Sequence, residues 1–289
     1  MNSRIGRLAA ASFLCLLSCA PQSPPGNSAF APALAPLSSW RTKVEVRQSV
    51  SQTIGGRDIE SRQSFSTTYR FKVLGRDADG GLSIEAVYEN LALKLTSRLG
   101  SASFDSSEPD DPSSPLAALG GLVGGSFTFA LGPTMRLGGI GGLPELAARM
   151  AAAAKDPAFA SSASAYMNEG SIRHSLEAIF GLFPAAKVAA GESWIVESAM
   201  DCSMPLVSRN KITATKAAGY RISARIEGVI GPAGGGGAVE LRGTVSGGVE
   251  LDAASLRILG GCMNQNLSGS VLVRGTRIPM EVKNSMRFE

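Results

Sequence analysis

The sequence predicts an α+β protein: a curved antiparallel β-sheet, half-barrel-like, with two or three helices inserted mid-chain. Three observations carry this. Apolar–polar alternation marks residues 40–50, 65–73 and 82–95, and strands return from Trp194. Between these blocks the apolar period changes from two to about 3.6. The order strands, helices, strands has no βαβ rhythm, so the strands pair antiparallel. Thirty-four Gly and a 44% hydrophobic content suit such a sheet, with many turns and a sizeable core.

The chain opens on MNSRIGRLAAASFLCLLSCA. Arg4 and Arg7 precede an apolar run from Leu8 to Leu17, and a small residue, Ser18, stands before Cys19. This is the layout of a secretory signal. Ten apolar residues span about 15 Å as a helix, half a bilayer core, so a transmembrane anchor does not fit. The Leu16-Leu17-Ser18-Cys19 run resembles the lipobox of bacterial lipoproteins. The resemblance implies cleavage after residue 18 and a lipid on Cys19, with a plain secretory signal cut elsewhere as the rival. Ala20 in place of Asp implies, by the same resemblance, the periplasmic face of the outer membrane. Residues 19–38, rich in Pro, Ala and Ser without periodicity, read as an extended tether.

Residues 39–289 form the folded part. In residues 40–50, Trp40, Thr42, Val44 and Val46 alternate with Arg41, Lys43, Glu45 and Arg47, giving a strand with one wet face. Residues 65–73 alternate again. Asp79-Gly80 signals a hairpin into residues 82–95. The three strands make a meander whose solvated face agrees with antiparallel pairing. Residues 104–115 are an acidic, Pro-broken loop. Residues 125–131 and 135–140 make a hairpin across Gly132-Pro133.

Helical spacing then takes over. Residues 144–155 carry Pro at the first turn and a stripe of Leu146, Met150 and Ala. Residues 157–167 are a weaker helix. Residues 171–182 line up Ile172, Leu176, Ile179, Phe180 and Phe183, with Ser171 as N-cap. Six further strands are expected at 194–199, 206–215, 220–230, 238–251, 256–273 and 278–288. Ser39-Trp40 and Ser193-Trp194 each open a strand series, and Tyr69-Arg70 and Tyr220-Arg221 follow at similar distances. This hints at two β lobes, 39–142 and 190–289, around helices in 143–183, as the alternative to one domain.

Removing Arg4 and Arg7 with the leader lowers the net charge from +4 to +2. No run of Lys and Arg suits a phosphate backbone, so nucleic acid is not an expected partner. With Cys15 removed and Cys19 lipidated, Cys202 and Cys262 remain. Two thiols in an exported chain predict a disulfide, with two buried free thiols as the alternative.

Chemistry is sparse. His174, the only His, falls on a predicted helix and reads as a solvated residue. Ser208 and Lys211 match Ser-x-x-Lys, but on a predicted strand rather than one helical turn. Residues 138–142 lack the Lys-Ser/Thr of a P-loop. Asp77-Ala78-Asp79-Gly80 begins like a calcium loop, yet Tyr88 stands where Glu is required. Asp105, Glu108, Asp110 and Asp111 read as a solvated loop. No catalytic residue, metal site or cofactor is expected.

The run Leu182-Phe183-Pro184, Lys187-Val188, Gly191-Glu192-Ser193-Trp194 resembles the signature of an uncharacterised family of bacterial exported proteins, in which Phe/Leu-Pro precedes Val-x-x-Gly-Asp/Glu-Ser-Trp. Phe104-Asp105-Ser106 and Ile278-Pro279-Met280 fit the same family. Its activity is unknown, so the resemblance implies a structural role for Phe183, Pro184, Gly191, Ser193 and Trp194. More remotely, the plan resembles the half-barrel carriers of the bacterial envelope, whose sheet and helices enclose an apolar cavity for acyl chains. The functional expectation is a lipid-anchored, non-catalytic binding or scaffolding module of the envelope, touching the membrane through Cys19 and a protein partner through its surface. The alternative is a carrier of an apolar ligand; the same Leu, Ile, Phe and Met fit a closed core or line a cavity.

Overall fold

A computed structural model describes residues 20–21, 34–98, 100–108, 114, 116–154, 168–201, 205–233, 239–273 and 275–289. The predicted helix at 157–167 lies outside them, as do Cys19, Cys202, Asp110 and Asp111.

One open antiparallel sheet of 13 strands carries the molecule. After a two-residue strand β1 (Ala20–Pro21) come β2 (Ser39–Ile54), β3 (Arg57–Arg76), β4 (Leu82–Ser97), β5 (Gly100–Asp105), β6 (Ser126–Leu131) and β7 (Leu137–Gly141). Helices α1 (Leu143–Ala153) and α2 (Glu169–Phe180) follow. The chain ends with β8 (Ser193–Asp201), β9 (Pro205–Ala218), β10 (Arg221–Pro232), β11 (Arg242–Asp252), β12 (Arg257–Val273) and β13 (Thr276–Phe288). A 3-10 turn spans Ala117–Leu122.

The spatial order is β1-β8-β9-β10-β11-β12-β13-β2-β3-β4-β6-β7, with β5 on β4. The two strand series are therefore a single sheet, sewn together where the last strand meets the first long one: Met286 lies opposite Val46 and Phe288 opposite Val44. The pseudo-repeat does not extend to environment, because Tyr69 is buried and Tyr220 is 49% exposed. Ala20 and Pro21 pair with Glu197 and Val196 on β8, so the predicted tether begins against a sheet edge. A Pro is tolerated there because an edge strand has no ladder on one side.

The connection β7-α1-α2-β8 crosses from one edge of the sheet to the other over its inner face. That face alternates as expected: Trp40, Thr42, Val44 and Val46 are buried. Phe71 lies at the centre of an aromatic cluster, 5.2 Å from Phe180 of α2, 5.4 Å from Trp40 and 5.6 Å from Tyr69 between ring centroids. Phe129 closes it at 5.3 Å from Phe180. Such ring pairs contribute about 0.5–1.5 kcal/mol each beyond area burial.

Each helix is pinned by an arginine. Arg173 on α2 donates to the Leu137 and Gly138 carbonyls of β7 at 3.0 and 2.8 Å, and pairs with Glu169 one turn earlier at 2.7 Å. Arg149 on α1 donates to the carbonyls of Gly121 and Val123 at 2.9 and 2.8 Å. Gly121 permits this approach: a Cβ there would sit 2.4 Å from the Arg149 carbonyl oxygen.

Two local expectations are corrected. The N-cap of α2 is Asn168, whose side chain accepts from the Ser171 N–H at 2.9 Å; Ser171 is inside the helix. His174 is 8% exposed, because this helix packs on more than its predicted stripe. Asp77 behaves as a hairpin residue: its carboxylate accepts from the Gly81 N–H at 2.6 Å.

Candidate functional site

The run from Phe183 to Trp194 lies where the helices hand over to β8, and its residues shape that turn. Phe183 and Pro184 are buried under the sheet. Gly191 takes a positive φ of 88°, which a side chain would oppose, and its N–H reaches the Ala214 carbonyl at 2.7 Å. Glu192 closes the turn by accepting from the Ala189 N–H at 2.8 Å. Ser193 faces outward, with its hydroxyl 2.9 Å from that of Thr213, and Trp194 turns its ring inward.

None of the sequence-level catalytic candidates forms a constellation. Ser208 is fully buried and Lys211 exposed, on opposite faces of β9, as odd spacing on a strand requires. Burial pushes the His174 imidazole down to about 4, and its Nε2 has no hydrogen-bond partner. Among the described residues, no group of three His, Cys, Asp or Glu is placed to hold a metal ion. Cys262 is a free, exposed thiol, so the expected bridge to Cys202 is not seen. Cys262 sits in mid-strand on β12, opposite Gly248 of β11, and Cys202 lies outside the described residues.

What the structure does assemble is a groove of about 770 Å³ on the outer face, crossing β11, β12, β13, β2, β3 and β4. Its side chains come from two adjacent cross-strand rows. One row runs Lys94, Ser64, Arg47, Ser285, Asn264, Ser246. The next runs Thr96, Arg62, Ser49, Lys283, Asn266, Thr244. On four neighbouring strands the local sequence is the same: Arg47-Gln48-Ser49, Arg62-Gln63-Ser64, Lys94-Leu95-Thr96 and Lys283-Asn284-Ser285. Alternation sends the first and third residues outward and the middle one inward. Antiparallel pairing then reverses every second copy, so cation and hydroxyl form a checkerboard.

The inward residues complete the arrangement. Gln63 donates to Gln48 at 2.8 Å and Asn284 donates to Gln265 at 3.2 Å, so amides pair across the strands beneath the groove. Paired buried amides cost far less than single ones.

Charge in the groove is one-sided. Arg47, Arg62, Lys94 and Lys283 line it, and among the described residues no carboxylate does. Arg62 pairs with Glu60 at its end, at 2.8 Å. Among the described residues, Arg47, Lys94 and Lys283 have no ion-pair partner within 4 Å. Glu45, one row away, is held below the usual carboxylate range chiefly by a hydrogen bond from Lys43, with Arg47 adding attraction. A second groove of about 580 Å³ continues the first toward β5, shares Arg47, Ser64 and Lys94, and brings in Glu45, Asp105 and Glu108. Ser107 holds the Asp105 carboxyl below its ordinary range through its hydroxyl and its N–H.

The family model described as "Family of unknown function (DUF6263)" matches residues 79–255, more than half of the chain, and the chain belongs to that family. No curated protein matches. Among solved structures, a lipovitellin structure titled for its lipid–protein interactions is 7% identical, covering 90% of this chain and 25% of that one, with a TM-score of 0.44. A DUF1329 family protein from Desulfovibrio piger is 9% identical over 87% and 84% of the two chains, with a TM-score of 0.12. The chain thus spans about a quarter of lipovitellin's length. Neither likeness bears on function.

Proposed function

We propose that this protein is a lipid-anchored, non-catalytic binding or scaffolding module of the bacterial envelope, whose recognition surface is the outer-face groove. The observation that supports this most is the checkerboard itself. Four strands present cations and hydroxyls outward in a recess, on paired backbone that cannot shift without breaking ladders. The opposite face is occupied by α1, α2 and the aromatic cluster around Phe71.

The Arg-rich start, the apolar run and Cys19 supply the anchor in this reading. More than one acyl chain on Cys19 would hold the domain at the periplasmic face of the outer membrane, since one chain alone binds reversibly. The pairing of Ala20 and Pro21 with β8 would bring that anchor to the edge of the sheet, away from the groove on its central strands.

Intact mass spectrometry of the protein extracted from its own membrane, with and without organic extraction, tests the reading. The expected result is a diacyl or triacyl mass on Cys19 with no further lipid at stoichiometric level. A stoichiometric extractable lipid would overturn it in favour of a carrier. An unmodified Cys19 would overturn the anchor.

A further inference from the structure

We infer that the ligand of the outer groove is a linear acidic glycan bearing carboxylates, lying across the strands. This deepens the binding-module reading and rests on it. The spacing of the cations favours an extended ligand. Adjacent strands stand about 4.8 Å apart, and residues two apart on a strand are separated by about 6.8 Å. Lys94, Arg62, Arg47 and Lys283 occupy successive strands and alternate between the two rows. They therefore trace a zigzag with a step of about 8 Å, perpendicular to the strands. An extended chain with charges at regular intervals fits such a track; a single compact anion meets one or two of the four.

The side chains between the charges favour a sugar. Ser64, Ser49, Ser285 and Thr96 fill the alternate squares, and Asn264 and Asn266 extend the rows onto β12. Hydroxyls and amides both donate and accept, which suits sugar hydroxyls flanking a carboxylate. Two of the four cations are arginines; the planar fork of Arg47 matches a ligand carboxylate with two parallel hydrogen bonds, while that of Arg62 already holds Glu60.

Among the described residues, the groove also lacks what three other kinds of partner require. No aromatic side chain lines it, so it offers no platform for the bases of a single-stranded nucleic acid. No exposed apolar side chain lines it to enter an acyl layer, as an interfacial membrane surface requires. Its strands are paired on both sides, so no main-chain edge is open to an acidic peptide as an added strand.

Isothermal titration of the full chain held in zwitterionic-lipid nanodiscs with polygalacturonate, polyglutamate, phosphatidylglycerol vesicles and dextran tests this. Polygalacturonate is expected to bind, more weakly as salt rises, and dextran not to bind. Arg47→Gln with Lys283→Gln, both exposed changes, is expected to weaken polygalacturonate binding at least tenfold. Ser64→Ala with Asn264→Ala is expected to weaken it about threefold without altering its salt dependence. Equal binding of polyglutamate or vesicles, unaffected by Ser64→Ala and Asn264→Ala, would overturn the glycan while leaving the groove as a recognition surface. Polygalacturonate binding unchanged in the Arg47/Lys283 variant would overturn the glycan inference together with the groove.

Discussion

At the residue scale, His174 shows how burial converts a surface expectation into a stability term. Its pKa falls from 6.5 to about 4 through desolvation. The folded state thus holds the neutral form while the unfolded chain takes up a proton below about 6.5. Its contribution is complete above that pH and is lost between about 6.5 and 4, up to about 3 kcal/mol. His174→Leu is expected to remain folded at pH 7 and to lose less stability than the parent between pH 6.5 and 4, measured by urea unfolding. Parallel pH profiles would refute the assignment. The burial was not legible in the sequence, because His174 lies off the stripe of Ile172, Leu176 and Ile179. A residue beside a stripe is solvated only if one helix face is covered. Cys262 was expected in a disulfide or buried as a free thiol, and it is free and exposed on β12, because its strand position sends it to the outer face.

Period-two alternation identified the long strands at the element scale, because each has one face on the core and one in water. The extension of β2 and β3 to residues 54 and 57 escaped it: toward that tip both faces are polar or half exposed, and alternation fades. The helices were legible through Leu146, Met150 and Phe180, and their fastening was not. Arg173 looks like any charged helix residue until β7 is beside it. Arg173→Ala removes two charge-assisted hydrogen bonds from partly buried carbonyls and is expected to destabilise the protein by about 2 kcal/mol, read by thermal and urea unfolding. Arg173→Lys is expected to recover less than half of this, since an ammonium cannot reproduce the fork. Full recovery by Lys would mean that charge, and not the two-carbonyl clamp, fastens α2.

For the whole molecule, the decisive contact is β13 against β2. Without it the chain would be two lobes, and Lys283 would stand apart from Arg47, Arg62 and Lys94. The search for a run of Lys and Arg found none because the basic residues are distributed one per strand, up to 236 positions apart, and converge only through register. The repeated cation-x-Ser/Thr was visible in the sequence as four unremarkable tripeptides; only the sheet order makes them a surface. The groove is the feature on which the proposed reading, a module that holds a ligand against its outer face, rests. The most direct measurement is site-specific photocrosslinking in the native envelope, with a photoreactive amino acid at Ser64 in the groove and, separately, at Ser193 outside it. A discrete crosslinked species is expected from position 64, abolished by Arg47→Gln with Lys283→Gln, and none from position 193. A species from position 193 alone, or one from position 64 that survives the loss of both cations, would contradict it.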